Sequence, residues 1–162
     1  KAQTKKVCFP KGTWYELWSG NEVLGSCERE VPVSLKDCPA YLKSGIVLPV
    51  IMNEKMKWAV PFSEQNQTKV IVITPPNMDD EYRYYAEEDD KYVFKCVKED
   101  ERVFKIYSLK DIFINKLLIY ENVHEIEVDG KKEEFSIVYE NQTMTALRLK
   151  SDRWNKLTIT CK

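Results

Sequence analysis

The chain holds one histidine, His124, so any serine or cysteine triad would have to be built on that imidazole. A triad also needs a nucleophile within hydrogen-bond reach and an acid that orients the base. Nothing in the sequence singles out either partner, and His124 reads as a packed or solvent-facing side chain. The acidic group Asp79, Asp80, Glu81 and Glu87 to Asp90 gathers hard oxygen donors of the kind calcium takes. It lacks the spaced Asp-x-Asp-x-Asp-Gly order of a dedicated loop, so a solvated turn is expected and no metal or other cofactor. Glycoside cleavage needs two carboxyl groups about 5 to 10 Å apart. Among 26 acidic residues some pair will meet that distance by accident, and proximity alone assigns no role.

The five cysteines, Cys8, Cys27, Cys38, Cys96 and Cys161, are scattered and odd in number. They show neither a dense disulfide framework nor the paired Cys-x-x-Cys spacing of zinc sites. Small, unpaired thiols favour a reducing compartment, and the cytoplasm is the expected location. Two Asn-x-Thr sequons, at Asn66 and Asn141, point to secretion as the alternative. The aromatics offer a different chemistry, because axial C–H groups of a sugar ring pack against an aromatic face. Of Trp14, Trp18, Trp58, Trp154, Tyr82, Tyr84, Tyr85 and Tyr92, the group Tyr82, Tyr84 and Tyr85 is hardest to place inside a core. Those three tyrosines are the candidate carbohydrate contacts.

The elements that position these residues read as strands. From Phe9 to Gly20 three large aromatics lie between two glycine turns. Thr13, Tyr15 and Leu17 share one parity, and Trp14, Glu16 and Trp18 the other, so a strand here carries aromatics on both faces and is expected to be buried on two sides. Pro10-Lys11-Gly12 and Ser19-Gly20-Asn21 supply the turns of a β-hairpin that returns through Val23-Leu24. Further on, 29–33, 69–74, 91–97, 102–107, 133–139 and 156–161 are short runs rich in β-branched and aromatic residues, separated by polar turns. Lys98 to Glu101 reads as a charged hairpin connection, and Asp129-Gly130 as a tight turn. Only 108–120 is ambiguous, since Leu109, Ile112, Phe113, Lys116 and Leu117 also suit a helical turn or two.

The expected fold is all-β, two consecutive antiparallel β-sandwich domains. The polar stretch before Gln67 places a division near residue 64, giving a proximal unit 1–64 and a distal unit 65–162. With 162 residues and 43% apolar content the chain can form such cores. Its net charge of -1, with no basic stripe interleaved with aromatics, argues against nucleic acid as a partner. The longest apolar run, Ile46 to Met52, is interrupted by Pro49 and falls well short of the roughly 20 residues of a spanning helix, so no membrane partner is expected.

The motif Phe-Pro-Lys-Gly-Thr-Trp-Tyr-Glu-Leu-Trp-Ser-Gly at 9–20, followed by Pro39, Tyr41, Gly45, Ile46, Leu48 and Pro49, resembles the β-sandwich that follows the catalytic barrel in glycoside hydrolase family 31, the α-glucosidase and α-xylosidase family. A looser likeness continues through Tyr84 to Asp90, where Lys91 replaces the glycine usual in relatives, and through Val128 to Lys131. The resemblance implies a structural motif of Pro10, Gly12, Trp14, Tyr15, Trp18, Gly20, Gly45 and Pro49. It implies that Trp14 and Trp18 face the core or the barrel, and that the proximal sandwich lacks its first strand. The family's two catalytic aspartates belong to its barrel, which needs about 250 residues of alternating strand and helix. The resemblance therefore implies that this chain carries no catalytic residue, and that its partner is the barrel of a parent α-glycosidase. A carbohydrate-binding sandwich using exposed aromatics is the alternative, and a protein-interaction sandwich the third reading.

Overall fold

The computed structural model describes residues 3–33, 38–58, 67–77 and 92–162. Among them there is no helix, and the fold is all-β as expected. The strands are β1 (Gln3–Phe9), β2 (Thr13–Glu16), β3 (Glu22–Leu24), β4 (Cys27–Val33), β5 (Tyr41–Lys43), β6 (Val47–Asn53), β7 (Gln67–Ile73) and β8 (Phe94–Lys98). They continue as β9 (Val103–Ile112), β10 (Lys116–Ile119), β11 (Val123–Val128), β12 (Lys131–Lys132), β13 (Phe135–Glu140), β14 (Thr145–Leu149) and β15 (Trp154–Cys161).

Two five-stranded sheets, β13-β14-β10-β7-β6 and β12-β11-β15-β9-β8, face each other across the main core. The first sheet sends in Val47, Ile71, Ile73, Leu117, Ile119, Leu147 and Leu149. The second sends in Phe94, Phe104, Ile106, Ile126, Leu157, Ile159 and the fully buried Trp154. In this second sheet the intervening Lys105, Glu125, Glu127 and Thr160 are less buried, the alternation of a sheet with one wet face. The first sheet differs. In β7 the four consecutive residues Val70, Ile71, Val72 and Ile73 are all buried. Ile71 and Ile73 enter the main core, whereas Val70 and Val72 join Leu118, Tyr120, Met144 and Ala146 in a second core on the opposite face. A strand covered on both faces needs such a continuous apolar run.

What covers that opposite face comes largely from the start of the chain. Strands β3-β2-β5 form a three-stranded sheet, and Tyr15 of β2 contributes to the second core with Met52 and Met56. Strands β1 and β4 pair with each other along seven positions as a separate two-stranded ribbon. The division expected near residue 64 falls between β6 and β7, which pair from Val47–Ile73 to Asn53–Gln67, so β6 from before that point is an edge strand of the sandwich. Pro49 lies on this edge strand, where its missing N–H is harmless.

All described pairings are antiparallel except β7 with β10. The chain between these two passes through β8 and β9 of the other sheet. The ambiguous stretch 108–120 resolves as strand. Its apolar residues do not share one buried stripe, because Leu109 and Phe113 are 80% and 73% exposed while Ile112 and Leu117 are fully buried. Asp129 and Gly130 both have positive φ, 51° and 80°, and make the turn between β11 and β12. Asp100 caps the charged connection between β8 and β9, its Oδ1 accepting from the N–H groups of Arg102 and Val103 at 2.7 and 2.8 Å. No helix among the described residues is long and apolar enough to cross a membrane.

Candidate functional site

The sequence motif is the point where the N-terminal strands meet the sandwich. At the entry to β2, Trp14 Nε1 donates to the Pro10 carbonyl at 3.0 Å, and the Phe9 ring meets Tyr41 edge-on at 4.7 Å. Gly12 has φ 129°, and its carbonyl accepts from the Gly25 N–H at 2.7 Å. After β2 the chain turns tightly: the Gly20 N–H donates to the Glu16 carbonyl at 2.8 Å, and the Ser19 N–H to Glu16 Oε2 at 2.7 Å. Gly20 has φ 74°, and a Cβ there would stand 2.7 Å from Met144 Cγ and 2.8 Å from Thr143 Oγ1. Only glycine fits, because the turn is pressed onto the β13–β14 connection, where the Thr143 hydroxyl donates to the Ser19 carbonyl.

Tyr15 and Tyr120 complete the join. Their rings are 6.1 Å apart and near perpendicular, and the Tyr120 hydroxyl donates to the Leu17 carbonyl at 2.7 Å while accepting from Trp58 Nε1 at 3.0 Å. Burial raises the Tyr120 pKa well above the ordinary phenol value, with the Trp58 hydrogen bond opposing it. Gly45, at φ 74°, donates its N–H to the Pro75 carbonyl at 3.0 Å. Beside it the Thr74 hydroxyl donates to the Lys43 carbonyl at 2.7 Å and accepts from the Ile46 N–H at 2.9 Å.

Pro10, Gly12, Trp14, Tyr15, Trp18 and Gly20 thus lie along one hairpin, whereas Pro49 lies on β6 opposite Ile71; one expectation about their burial needs correction. The hairpin strand is not enclosed on both sides: Thr13 and Tyr15 are buried, but Trp14 and Glu16 are only half-buried, and Trp18 lies beyond the strand and is 37% exposed. The short β2 ends before Trp18, so the alternation that put Trp14 and Trp18 on one face does not persist. Sequence reasoning missed Tyr120, Thr143 and Gly25, since their roles arise from partners distant in sequence. Gly25 had one legible signal, its place at the end of the Val-Leu-Gly return strand.

Two depressions flank the join. A polar cleft of about 390 Å³ is lined in part by Tyr15, Glu22, Lys98, Arg102 and Glu121. Burial holds the Glu121 carboxyl above the usual carboxylate range, and the nearby charge of Glu22 adds to this, while a hydrogen bond from the Asn122 main chain opposes it. On the other side a groove of about 400 Å³ is lined by Trp18, Lys57, Trp58, Tyr139, Glu140, Asn141 and Met144. His124 is exposed, and no group of three or more His, Cys, Asp or Glu among the described residues could hold a metal. Tyr82, Tyr84 and Tyr85, with the acidic residues around them, lie outside the described residues.

The class defined by this geometry is a two-sheet β-sandwich with a small aromatic hairpin sheet on its outer face. No protein-family model matches the chain, and no curated protein matches it. Solved structures do share its fold. A cycloalternan-forming enzyme from Listeria monocytogenes, in complex with a pentasaccharide substrate, matches with a TM-score of 0.74 at 12% identity, over 99% of this chain and 17% of that one. A GH31 dextranase from Flavobacterium johnsoniae, complexed with glucose, matches with a TM-score of 0.63 at 14% identity, over 97% of this chain and 24% of that one. At these identities the likeness is one of fold: the all-β arrangement that the hairpin motif led one to expect recurs within part of each of these larger glycoside hydrolases. The chain spans about a fifth of the length of the proteins it matches.

Proposed function

We propose that this chain is a non-catalytic, glycosidase-associated β-sandwich region that packs against a catalytic barrel and stabilises it. The carrying observation is the asymmetry of the structural matches, which take in nearly all of this chain and a small part of each larger glycoside hydrolase. The β1–β4 ribbon supports the reading. An isolated two-stranded ribbon is marginal in water, yet here neither long edge is paired with another described strand. Val7, Val31 and Val33 on it are half-buried. A neighbouring domain that covers this ribbon would remove apolar surface from water at roughly 25 cal/mol per Å², which stabilises the neighbour without any residue here touching substrate. The parent activity that suits the motif is that of an α-glucosidase or α-xylosidase.

Two measurements test this. The purified chain is expected to leave aryl α-glucosides and aryl α-xylosides intact; cleavage attributable to it sinks the proposal. Supplied together with the barrel of its parent enzyme, it is expected to raise the barrel's thermal midpoint, and an unchanged midpoint removes the stabilising role.

A further inference from the structure

The groove beside the motif has a different chemistry from the packing surfaces. Its volume of about 400 Å³ falls in the roughly 300–1,000 Å³ range of small-molecule sites. Its aromatic lining consists of Trp18, Trp58 and Tyr139, and the buried Met144 lies among them. Each ring has its polar atom engaged inside the protein. Trp18 Nε1 donates to the Cys38 carbonyl at 2.7 Å, Trp58 Nε1 to the Tyr120 hydroxyl at 3.0 Å, and the Tyr139 hydroxyl to the Met56 carbonyl at 3.2 Å. What these side chains offer a ligand is therefore apolar ring surface, fixed in place before anything binds. A surface ordered in advance loses little conformational entropy on binding.

The polar groups around the rings complement that surface. Asn141 Oδ1 accepts from the N–H groups of Thr143 and Met144 at 2.9 and 2.8 Å. Its Nδ2 makes no hydrogen bond within the described residues. The Lys57 ammonium stands 5.6 Å from the centre of the Tyr139 ring. Lys57 is the one cationic side chain of the lining, and the one acid, Glu140, is already paired with Lys162 at 2.6 Å, so a single exposed ammonium would give an anionic ligand little. A neutral ligand with flat apolar faces and a hydroxylated rim fits better. A gluco-configured pyranose has equatorial ring hydroxyls, which leave axial C–H groups to pack on aromatic faces. An axial ring hydroxyl, as in galactose or mannose, obstructs one of the two faces, whereas a gluco-configured ring keeps both for a lining that carries more than one aromatic ring.

We infer that the Trp18–Trp58–Tyr139 groove binds a neutral gluco-oligosaccharide, with the sugar stacked on the tryptophan rings and its hydroxyls accepting from Lys57 and Asn141. The site goes beyond the packing role and is independent of it, since a failure here leaves the hydrolysis and barrel tests untouched.

The four tryptophans make a built-in reporter, because they occupy distinct places in the fold. In the nitrogen-15-labelled 162-residue chain, the indole N–H resonances are followed as maltotriose, isomaltotriose and cellotriose are added separately to about 10 mM, enough to populate a site of millimolar affinity. At least one sugar is expected to shift the Trp18 and Trp58 signals saturably and leave buried Trp154 and half-buried Trp14 in place. Trp18→Ala, shown to be folded by its unmoved Trp154 signal, is expected to abolish the shift at Trp58. No shift with any of the three sugars, shifts confined to Trp14 or Trp154, or full binding by folded Trp18→Ala would each overturn the assignment.

Discussion

The hydroxyl of Tyr120 donates to the main-chain carbonyl of Leu17 across 103 positions of sequence, at 2.7 Å. One phenol thereby joins the aromatic hairpin to the end of β10, and the same oxygen receives the Trp58 indole N–H. Removing that oxygen leaves a carbonyl and an indole N–H without their partner in a mostly buried place.

Tyr120→Phe is expected to cost about 1–3 kcal/mol, the range for orphaning buried hydrogen-bonding groups. Urea denaturation of the two proteins measures it. A loss below about 0.5 kcal/mol would mean that the hairpin is held by packing alone.

Gly25 and Gly130 separate two reasons for requiring a glycine in a turn. A Cβ at Gly25 would stand 1.9 Å from the Pro10 carbonyl oxygen, whereas one at Gly130 meets nothing within 4 Å and only the backbone, at φ 80°, resists it. Gly25→Ala should cost about 3 kcal/mol or more, since rigid main chain must move. Gly130→Ala should cost about 1–2 kcal/mol from the left-handed backbone alone. Equal thermal midpoints for the two variants would contradict the close approach of Gly25 to Pro10.

Alkaline pH should weaken the fold in stages. Burial, aided by the charge of Glu121, pushes the Cys161 thiol up to about 12 from 9.0, and burial pushes the Tyr139 phenol up to about 12 from 10.0. Both pKa values are raised on folding, so their stabilising contribution is complete below the unfolded values and is lost as pH rises toward the folded ones. Stability should begin to fall above pH 9 and fall faster above pH 10, each group adding at most about 1.4 kcal/mol per pH unit. Urea midpoints across this range test the order, and Cys161→Ala should delay the first decline to the tyrosine range. A wild-type midpoint unchanged up to pH 11 would refute it.

The thiols should divide by depth. Cys8 and Cys38 are exposed and Cys27 is half-exposed, whereas Cys96 and Cys161 are buried in the main core. A thiol-specific chromogenic reagent should titrate the first three in the native protein and the last two only on unfolding. Rapid native reaction at Cys96 would mean that the sandwich opens locally at β8.

The strands were legible where period-two alternation or continuous β-branched runs dominate, as in β7, β9 and β15, and so was the Asp129-Gly130 turn. The hairpin was legible because turn chemistry is local: Gly20 and Gly12 announce positive φ from sequence alone. The membership of β6 was not legible, because its pairing with β7 is made across an intervening segment and both strands are apolar on each face. Strands β10 and β14 were missed because burial on both faces erases alternation, and in 108–120 chance spacing imitated a helix. Of the groove, the sequence held Trp18 and Trp58 among its aromatics, but the carbohydrate contacts it singled out were Tyr82, Tyr84 and Tyr85, and Trp18 was expected to face the core or the barrel. It gave no sign that Tyr139, from a strand far along the chain, would stand beside Trp18 and Trp58.

Strand β15 is the latest described strand of the sandwich in sequence, yet it occupies the middle of its sheet, between β11 and β9. During synthesis the earlier strands therefore wait with a missing centre, and Trp154 cannot seal the interior until the ribosome has delivered it. Completion of that sheet therefore waits for β15, the strand that joins the β8–β9 pair to the β11–β12 pair.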